Sequence, residues 1–248
     1  MDTEWRSQVT DCRIAVAVAA TVMLAAAGEP SESPSNAMPE SAGQVIEQYI
    51  EAIGGRSAIE NLNTRTLTGY LVDNLSWRDP QVDTQRLTCQ AGCEDRYKVE
   101  LASRLGIELE GFDGKTGWRL DHEGALHSDP DAERSKLAWL VNPRHALRVS
   151  AYFPNLKLDT TREVEGRACY VVGCDRPAEY FALYFDVETH LLRAIGWHWL
   201  LEDYGVVDGV LLPHRIVCNR KGGSSTYVFE SIEHNRPLDD TVLMAPRR

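Results

Sequence analysis

From residue 64 onward, apolar and polar side chains alternate in short runs along most of the chain. In Tyr97-Lys-Val-Glu-Leu101 and Leu105-Gly-Ile-Glu-Leu109 every second position is apolar. Such a period of two gives a strand one packed face and one wet face, the mark of antiparallel sheet. The pattern predicts further strands over 64–77, 116–121, 156–164, 168–174, 179–186, 190–201, 209–219 and 225–234. Asp113-Gly114, Glu165-Gly166-Arg167, Asp208-Gly209 and Gly222-Gly223 supply turns between them, and Asp203 with Gly205 predicts a further break.

Two stretches carry a helical period instead. Ser41-Ala-Gly-Gln44 forms a capping box ahead of Val45, Ile46, Tyr49, Ile50 and Ile53, which share one helix face. Gly54-Gly55 ends that helix, and Ser57-Ala-Ile-Glu60 repeats the box for a short second one carrying Ile59 and Leu62. Mid-chain, Asp129-Pro130 and Asn142-Pro143 each place a capping residue before a proline, the favoured first helical position. The segment 129–153 contains Leu137, Trp139, Leu140, Val141, Ala146, Leu147, Tyr152 and Phe153, and Pro154 closes it. Two short helices this apolar must cover a surface, because packing rather than propensity holds short helices.

Residues 1–27 do not follow the pattern of the fold. Ile14–Ala27 is apolar apart from Thr21 and ends in Ala25-Ala26-Ala27 before Gly28, as a cleavable export signal does. The run has 14 residues, against the roughly 20 that span a bilayer. Residues 28–40 hold three prolines and little to bury, which predicts a disordered linker. Residues 41–248 then form one mainly β domain with helices, an α+β chain long enough for its own core. Export predicts a periplasmic or secreted protein.

The net charge of −11, with no basic run, argues against nucleic acid and against an anionic membrane surface. Gly114-Lys115-Thr116 echoes a phosphate loop, but Leu109 stands where the first glycine belongs and a strand follows instead of a helix. No Gly-x-Ser-x-Gly elbow occurs. His190 and His198 lie about 26 Å apart on an extended strand, too far to share a metal. No cofactor, metal or catalytic set emerges, and the chain is expected to bind rather than catalyse.

Of six cysteines, Cys12 falls in the export segment. Cys89-Gln-Ala-Gly-Cys93 lacks redox spacing, and a three-residue hairpin loop there would set Cys89 opposite Cys93 for a disulfide. Cys169 and Cys174, about 16 Å apart on one strand, cannot bridge each other.

Seven segments in order carry a resemblance. They are Tyr49-Ile-Glu-Ala-Ile-Gly-Gly55, Leu67-Thr-Gly-Tyr70, Gly111-Phe-Asp-Gly-Lys-Thr-Gly-Trp118, Val164-Glu-Gly-Arg-Ala-Cys-Tyr170, Tyr184-Phe-Asp-Val-Glu-Thr-His-Leu-Leu192, Asp208-Gly-Val-Leu-Leu-Pro213 and Met244-Ala-Pro246. Together they resemble the LolA-like superfamily of periplasmic lipoprotein and lipid carriers. The resemblance implies an incomplete antiparallel β-barrel, a half-barrel with short helices covering a concave side that shelters acyl chains. It also implies lipid or lipoprotein acyl chains as ligands, carried toward the outer membrane between membrane-bound donor and acceptor proteins. The alternative on the same fold is a non-enzymatic envelope sensor or protein-interaction domain. Tyr70, Trp118, Trp139, Tyr184 and Trp197 are the candidate cavity lining, and Leu140, Leu147 and Phe153 join Trp139 in a candidate lid. No arginine among Arg65, Arg78 and Arg119 is singled out by the pattern.

Overall fold

A computed structural model describes residues 38–75, 83–130, 136–175, 180–196 and 198–246. The export segment and residues 28–37 of the expected linker lie outside the described residues, as does Trp197.

Helix α1 (Ala42–Ala52) starts at Ser41, whose Oγ accepts the Gln44 amide at 3.3 Å. Gln44 Oε1 accepts the Glu40 amide at 2.8 Å, so the return half of the expected box falls one residue early. Val45, Ile46, Tyr49 and Ile50 are buried, as the helical period predicts. Helix α2 (Arg56–Glu60) has no side-chain cap and follows Gly55 at φ 82. The Gly54-Gly55 reversal starts this helix early, so Ser57 sits inside it and caps nothing.

The rest is one antiparallel sheet. Its first half comprises β1 (Thr64–Leu75), β2 (Asp83–Gly92), β3 (Tyr97–Ser103), β4 (Gly106–Phe112), β5 (Gly117–Leu120) and β6 (Leu126–Ser128). Then come α3 (Lys136–Val141), a 3₁₀ turn (His145–Arg148) and α4 (Val149–Tyr152). The second half is β7 (Leu156–Val164), β8 (Arg167–Asp175), β9 (Tyr180–Asp186), β10 (Leu192–Ile195), β11 (Trp199–Val207), β12 (Val210–Arg220) and β13 (Gly223–His234). The 13 strands run in the order β6-β5-β4-β3-β2-β1-β13-β12-β11-β10-β9-β8-β7, and the sheet does not close into a barrel. Its outermost strands are β6 and β7. The helical segment 136–153 therefore connects one sheet edge to the other.

Several boundaries differ from the sequence pattern. The expected strand 190–201 is broken at Gly196 (φ 59), giving β10 and β11. β11 instead continues through Asp203, which takes φ 53 inside the strand where a break was expected. The sequence pattern gives no strand at β2 or β6, and the turn it predicts at Cys89-Gln-Ala-Gly-Cys93 is instead the end of β2. At Asn142 the side-chain Oδ1 accepts the Arg144 amide at 2.8 Å, a local turn that precedes the 3₁₀ segment rather than a helix cap.

One face of the sheet, called inner here, carries the main core. Leu67 and Leu71 of β1, Leu87 and Cys89 of β2, Ile216 of β12 and Phe229 of β13 join the buried residues of α1 and α3 there. Helix α1 packs on β7 and β8, and α3 on β2. The end of α1 is hooked to the β11–β12 turn by Leu211 N–H donating to the Ile53 carbonyl at 2.8 Å. Gly54 makes this approach, since a Cβ there would stand 2.2 Å from the Gly209 carbonyl oxygen.

Candidate functional site

The site starts with a break in the apolar pattern of β1. Arg65, Leu67, Gly69 and Leu71 are the buried positions of that strand, so a guanidinium points inward in phase with leucines. Arg65 is only 2% exposed. Its Nε–H donates to His234 Nε2 at 3.1 Å. One terminal nitrogen donates to the carbonyls of Leu140 (3.0 Å) and Asn142 (3.2 Å), and the other to that of Pro143 (3.2 Å). Leu140 lies in the last turn of α3, whose carbonyls the helix leaves unpaired, and Asn142 and Pro143 belong to the turn that follows, where the Asn142 carbonyl also accepts the His145 amide at 3.1 Å. A side chain of the sheet thus holds the segment that crosses it. Burial lowers the pKa of Arg65 to about 10, well above neutrality, so the group remains a cation.

Two further anchors hold the same segment. Asp95, at φ 63 in the β2–β3 turn, accepts from Asn142 Nδ2 at 2.7 Å, from Tyr152 Oη at 3.0 Å and from the Arg148 guanidinium. Arg144 donates to the Leu62 carbonyl at 2.7 Å and to Asn63 Oδ1 at 2.9 Å. Within the segment, Trp139 Nε1–H donates to the His145 carbonyl at 2.8 Å, and Trp139 meets Phe153 edge to face at 5.0 Å. His145 Nε2 and Tyr49 Oη are 2.8 Å apart, which ties the segment to α1. Burial, with Arg65 adding to it, pushes the His145 pKa down to about 3, so this imidazole is neutral at ordinary pH.

Beneath α3 lies a narrow pocket, partly open to solvent, with room for little more than one water molecule. Arg65, Leu67, Leu140, Val141, His145, Leu212, Pro213, Ile216, Phe229 and Ile232 line it. Its walls are apolar except for the guanidinium and the imidazole.

The expected site residues divide. Trp139, Leu140 and Phe153 are buried in the main core with the crossing segment, and Leu147 packs against that core half-buried. Of these, Leu140 lines the cavity. The other aromatics point elsewhere, because each is out of phase with the inner positions of its strand. Tyr70 lies between inward Gly69 and Leu71, and its Oη accepts from Arg86 at 2.9 Å while the guanidinium sits 5.2 Å from the ring centre. Trp118 pairs with Gly111, one step from the Phe112–Gly117 pair that supplies the main core with Phe112. A Cβ at Gly111 would come within 2.6 Å of the Trp118 ring, so the missing side chain makes room for the indole. Tyr184 belongs to a second, separate cluster with Cys169, Val171, Ala182 and Ala194, while neighbouring Leu183 and Phe185 face the main core.

The expected Cys89–Cys93 bridge is corrected: both thiols are free. β2 runs on through Gly92, and the turn begins at Cys93 instead of enclosing residues 90–92. Four residues of extended strand hold the two Cα atoms about 13 Å apart, beyond disulfide reach. Arg65 and His234 were missed at the sequence level. The signal available was an arginine two residues before Leu67, in phase with the leucines of an alternating strand.

No family model matches the sequence, and no curated protein matches it. Solved structures share the fold. A LolA superfamily protein from Nitrosomonas europaea superposes with a TM-score of 0.58 at 12% identity, covering 84% of this chain and 99% of its own. A DUF1329 family protein from Desulfovibrio piger gives 0.57 at 10% identity, with 81% and 95% covered. An outer membrane lipoprotein-sorting protein domain from Vibrio parahaemolyticus gives 0.50 at 10% identity, with 80% and 95% covered. This chain thus shares its fold with these three structures, and in it an open antiparallel sheet carries short helices on its inner face.

Proposed function

We propose that this protein is an exported carrier that shelters acyl chains of lipids or lipidated proteins between its inner sheet face and the segment 136–153, and moves them toward the outer membrane. The observation that carries this is the Arg65 clasp. Apolar walls line a narrow pocket whose cover is held at one end by hydrogen bonds from one side chain to main-chain carbonyls. Such a clasp can be exchanged without unfolding the sheet, because the sheet's own ladders contribute nothing to it. The shared fold with a lipoprotein-sorting domain supports the same reading. Donor and acceptor proteins at the two membranes would load and unload it. Tyr70, Trp118 and Tyr184 do not enter this proposal as lining, whereas Trp139, Leu140, Leu147 and Phe153 enter it as the cover.

The test is to purify the protein from its native envelope without detergent and identify co-purifying lipids by mass spectrometry. Stripped protein is then titrated with a fluorescent fatty-acid analogue. The expected results are bound acyl lipids and saturable binding. Protein free of lipid that also fails to bind the analogue would sink the carrier reading.

A further inference from the structure

The open sheet has two edges, and they are unequal. β6 has three residues, too few to seat a partner strand. β7 has nine, and among the described residues its ladder runs to β8 alone. Residues 157 and 159–163 of β7 are exposed, so the strand lies open to solvent. An edge of this length is a template on which the same edge of another copy can pair, and a two-fold axis at β7 would join two sheets into one.

The register of β7 opposes such a pairing. Leu158 pairs with Val172 and Thr161 with Tyr170, so Asp159 and Thr160 stand where β8 has only Val171. This is a bulge, and its extra residue switches the faces of the strand. Before it, Leu156 and Leu158 pack against the main core on the inner face, which turns Lys157 outward. After it, Val164 packs against the outer cluster, so Arg162 points outward too, while Thr161 and Glu163 turn inward.

Two antiparallel β7 strands can keep every side chain on its own face along the whole strand in one register. The bulges then meet at the axis, and Asp159 faces Thr160 without meeting a charge directly. Leu158 faces Thr161, Leu156 faces Glu163, and Lys157 faces Arg162, each pair occurring twice by symmetry. Like charges directly opposite are destabilising, and a leucine opposite a carboxylate gains no apolar partner. Shorter registers centred on Lys157, Arg162 or Glu163 set each of these against its own copy. Without the bulge, Lys157 and Glu163 would share a face, six residues apart, and would attract each other across the axis. The extra residue turns a self-complementary strand into a self-repelling one.

We infer that β7 is a guarded edge, on which Lys157 and Arg162, brought to one face by the bulge, keep the open sheet from joining a second copy of this chain. The guard acts whatever the inner face binds, so it stands apart from the carrier reading.

Sedimentation equilibrium of the purified protein at low ionic strength tests this, because salt screens exposed charges. The unaltered protein should stay monomeric. Arg162→Glu sets an acid opposite Lys157 at both ends of the pair and should self-associate at least about tenfold more tightly. Hydrogen exchange in that variant should slow along β7 and hold steady in β11–β13. Lys157→Glu should act the same way from the other side, and it decides the matter if Arg162→Glu does not fold. With both positions reversed, like charges face each other again, and association should return to the unaltered level. Unaltered protein that already pairs through β7 would overturn the inference, as would single reversals that leave self-association unchanged. Association without protection of β7, or a double variant that associates as tightly as the single ones, would overturn it equally.

Discussion

His234 accepts from Arg65 Nε through Nε2 at 3.1 Å and faces Asp208 Oδ2 through Nδ1 at 3.1 Å. The ring must therefore be neutral, with its proton on Nδ1, for the clasp to form as described. Protonation would remove the acceptor and set a second cation beside the guanidinium.

The first prediction is a loss of stability in mild acid. Burial holds the His234 pKa below the usual 6.5, Arg65 adds to that, and Asp208 opposes it. Burial and Arg65 likewise hold His145 down at about 3. The unfolded chain takes up protons near pH 6.5, whereas the folded chain does so only at lower pH. The contribution of these neutral rings is thus fully present above about 6.5 and is lost as pH falls below it. The melting temperature should fall steadily from pH 7 to pH 5, and His234→Gln should flatten the upper part of that slope. A melting temperature constant over this range in the unaltered protein would contradict the neutral-ring assignment.

Asp95 is a single side chain holding three others. Asp95→Ala removes acceptors from Asn142, Arg148 and Tyr152 at once and should cost roughly 2–3 kcal/mol in urea unfolding. Hydrogen exchange should quicken over 136–153 and hold steady in β11–β13. Uniform quickening across the sheet would show that the segment and the sheet unfold as one unit.

Trp139 is 0% exposed, and its indole N–H is satisfied by the His145 carbonyl. Trp139→Ala should destabilise by roughly 3–5 kcal/mol, a cavity cost with a lost hydrogen bond added. Trp139→Phe should recover most of the packing but not the bond. A thermal melt of both variants checks the order.

Gly54→Ala tests the hook between α1 and the β11–β12 turn. The position has φ 123, and its Cβ would collide with the Gly209 carbonyl at 2.2 Å. The variant should lose more than the roughly 1 kcal/mol of an ordinary backbone penalty. Exchange at Leu211, whose amide is held by Ile53, should be the local readout. Protection unchanged at Leu211 would mean the hook survives without the glycine.

The thiols give a chemical test of strand β2. Cys93 is half-buried, whereas Cys89, Cys169, Cys174 and Cys218 are buried. A thiol reagent should label Cys93 first and the other four only on unfolding. Recovery of a Cys89–Cys93 disulfide in unreduced protein would require β2 to end short of Gly92.

Periodicity made many of the strands legible because one of their faces meets water, whereas β8, β9 and β10 bury side chains on both faces. It failed where local chemistry competed with it. Cys89-Gln-Ala-Gly-Cys93 carries turn residues, yet tertiary pairing of Gln90 with Lys98 and Ala91 with Tyr97 keeps the strand extended. Gly196 gave too weak a turn signal to divide 190–201. The crossing segment was legible from its apolar content, and so were Trp139, Leu140 and Phe153 within it. Arg65 was not, because a charge in phase with leucines resembles noise until its four acceptors are seen. They come from residues 140–143 and 234, far along the chain. The aromatics misled for the opposite reason: Tyr70, Trp118 and Tyr184 look suited to a cavity by type, but strand phase turns them away from it.

The strand order has a consequence for how the chain reaches this shape. Strands β1 to β6 neighbour one another in chain order, and so do β7 to β13, so every strand pairing but one joins consecutive strands. The exception is β1 with β13, which brings Arg65 opposite His234 across 169 residues. Two meanders can zip up from local hairpins at little loop-closure cost, leaving one distant seam to form. Because Arg65 and His234 meet only at that seam, the clasp cannot assemble in either half alone. The clasp is therefore a product of the last strand pairing, and a nascent chain that has not yet synthesised β13 lacks the His234 acceptor that orients Arg65 toward the crossing segment.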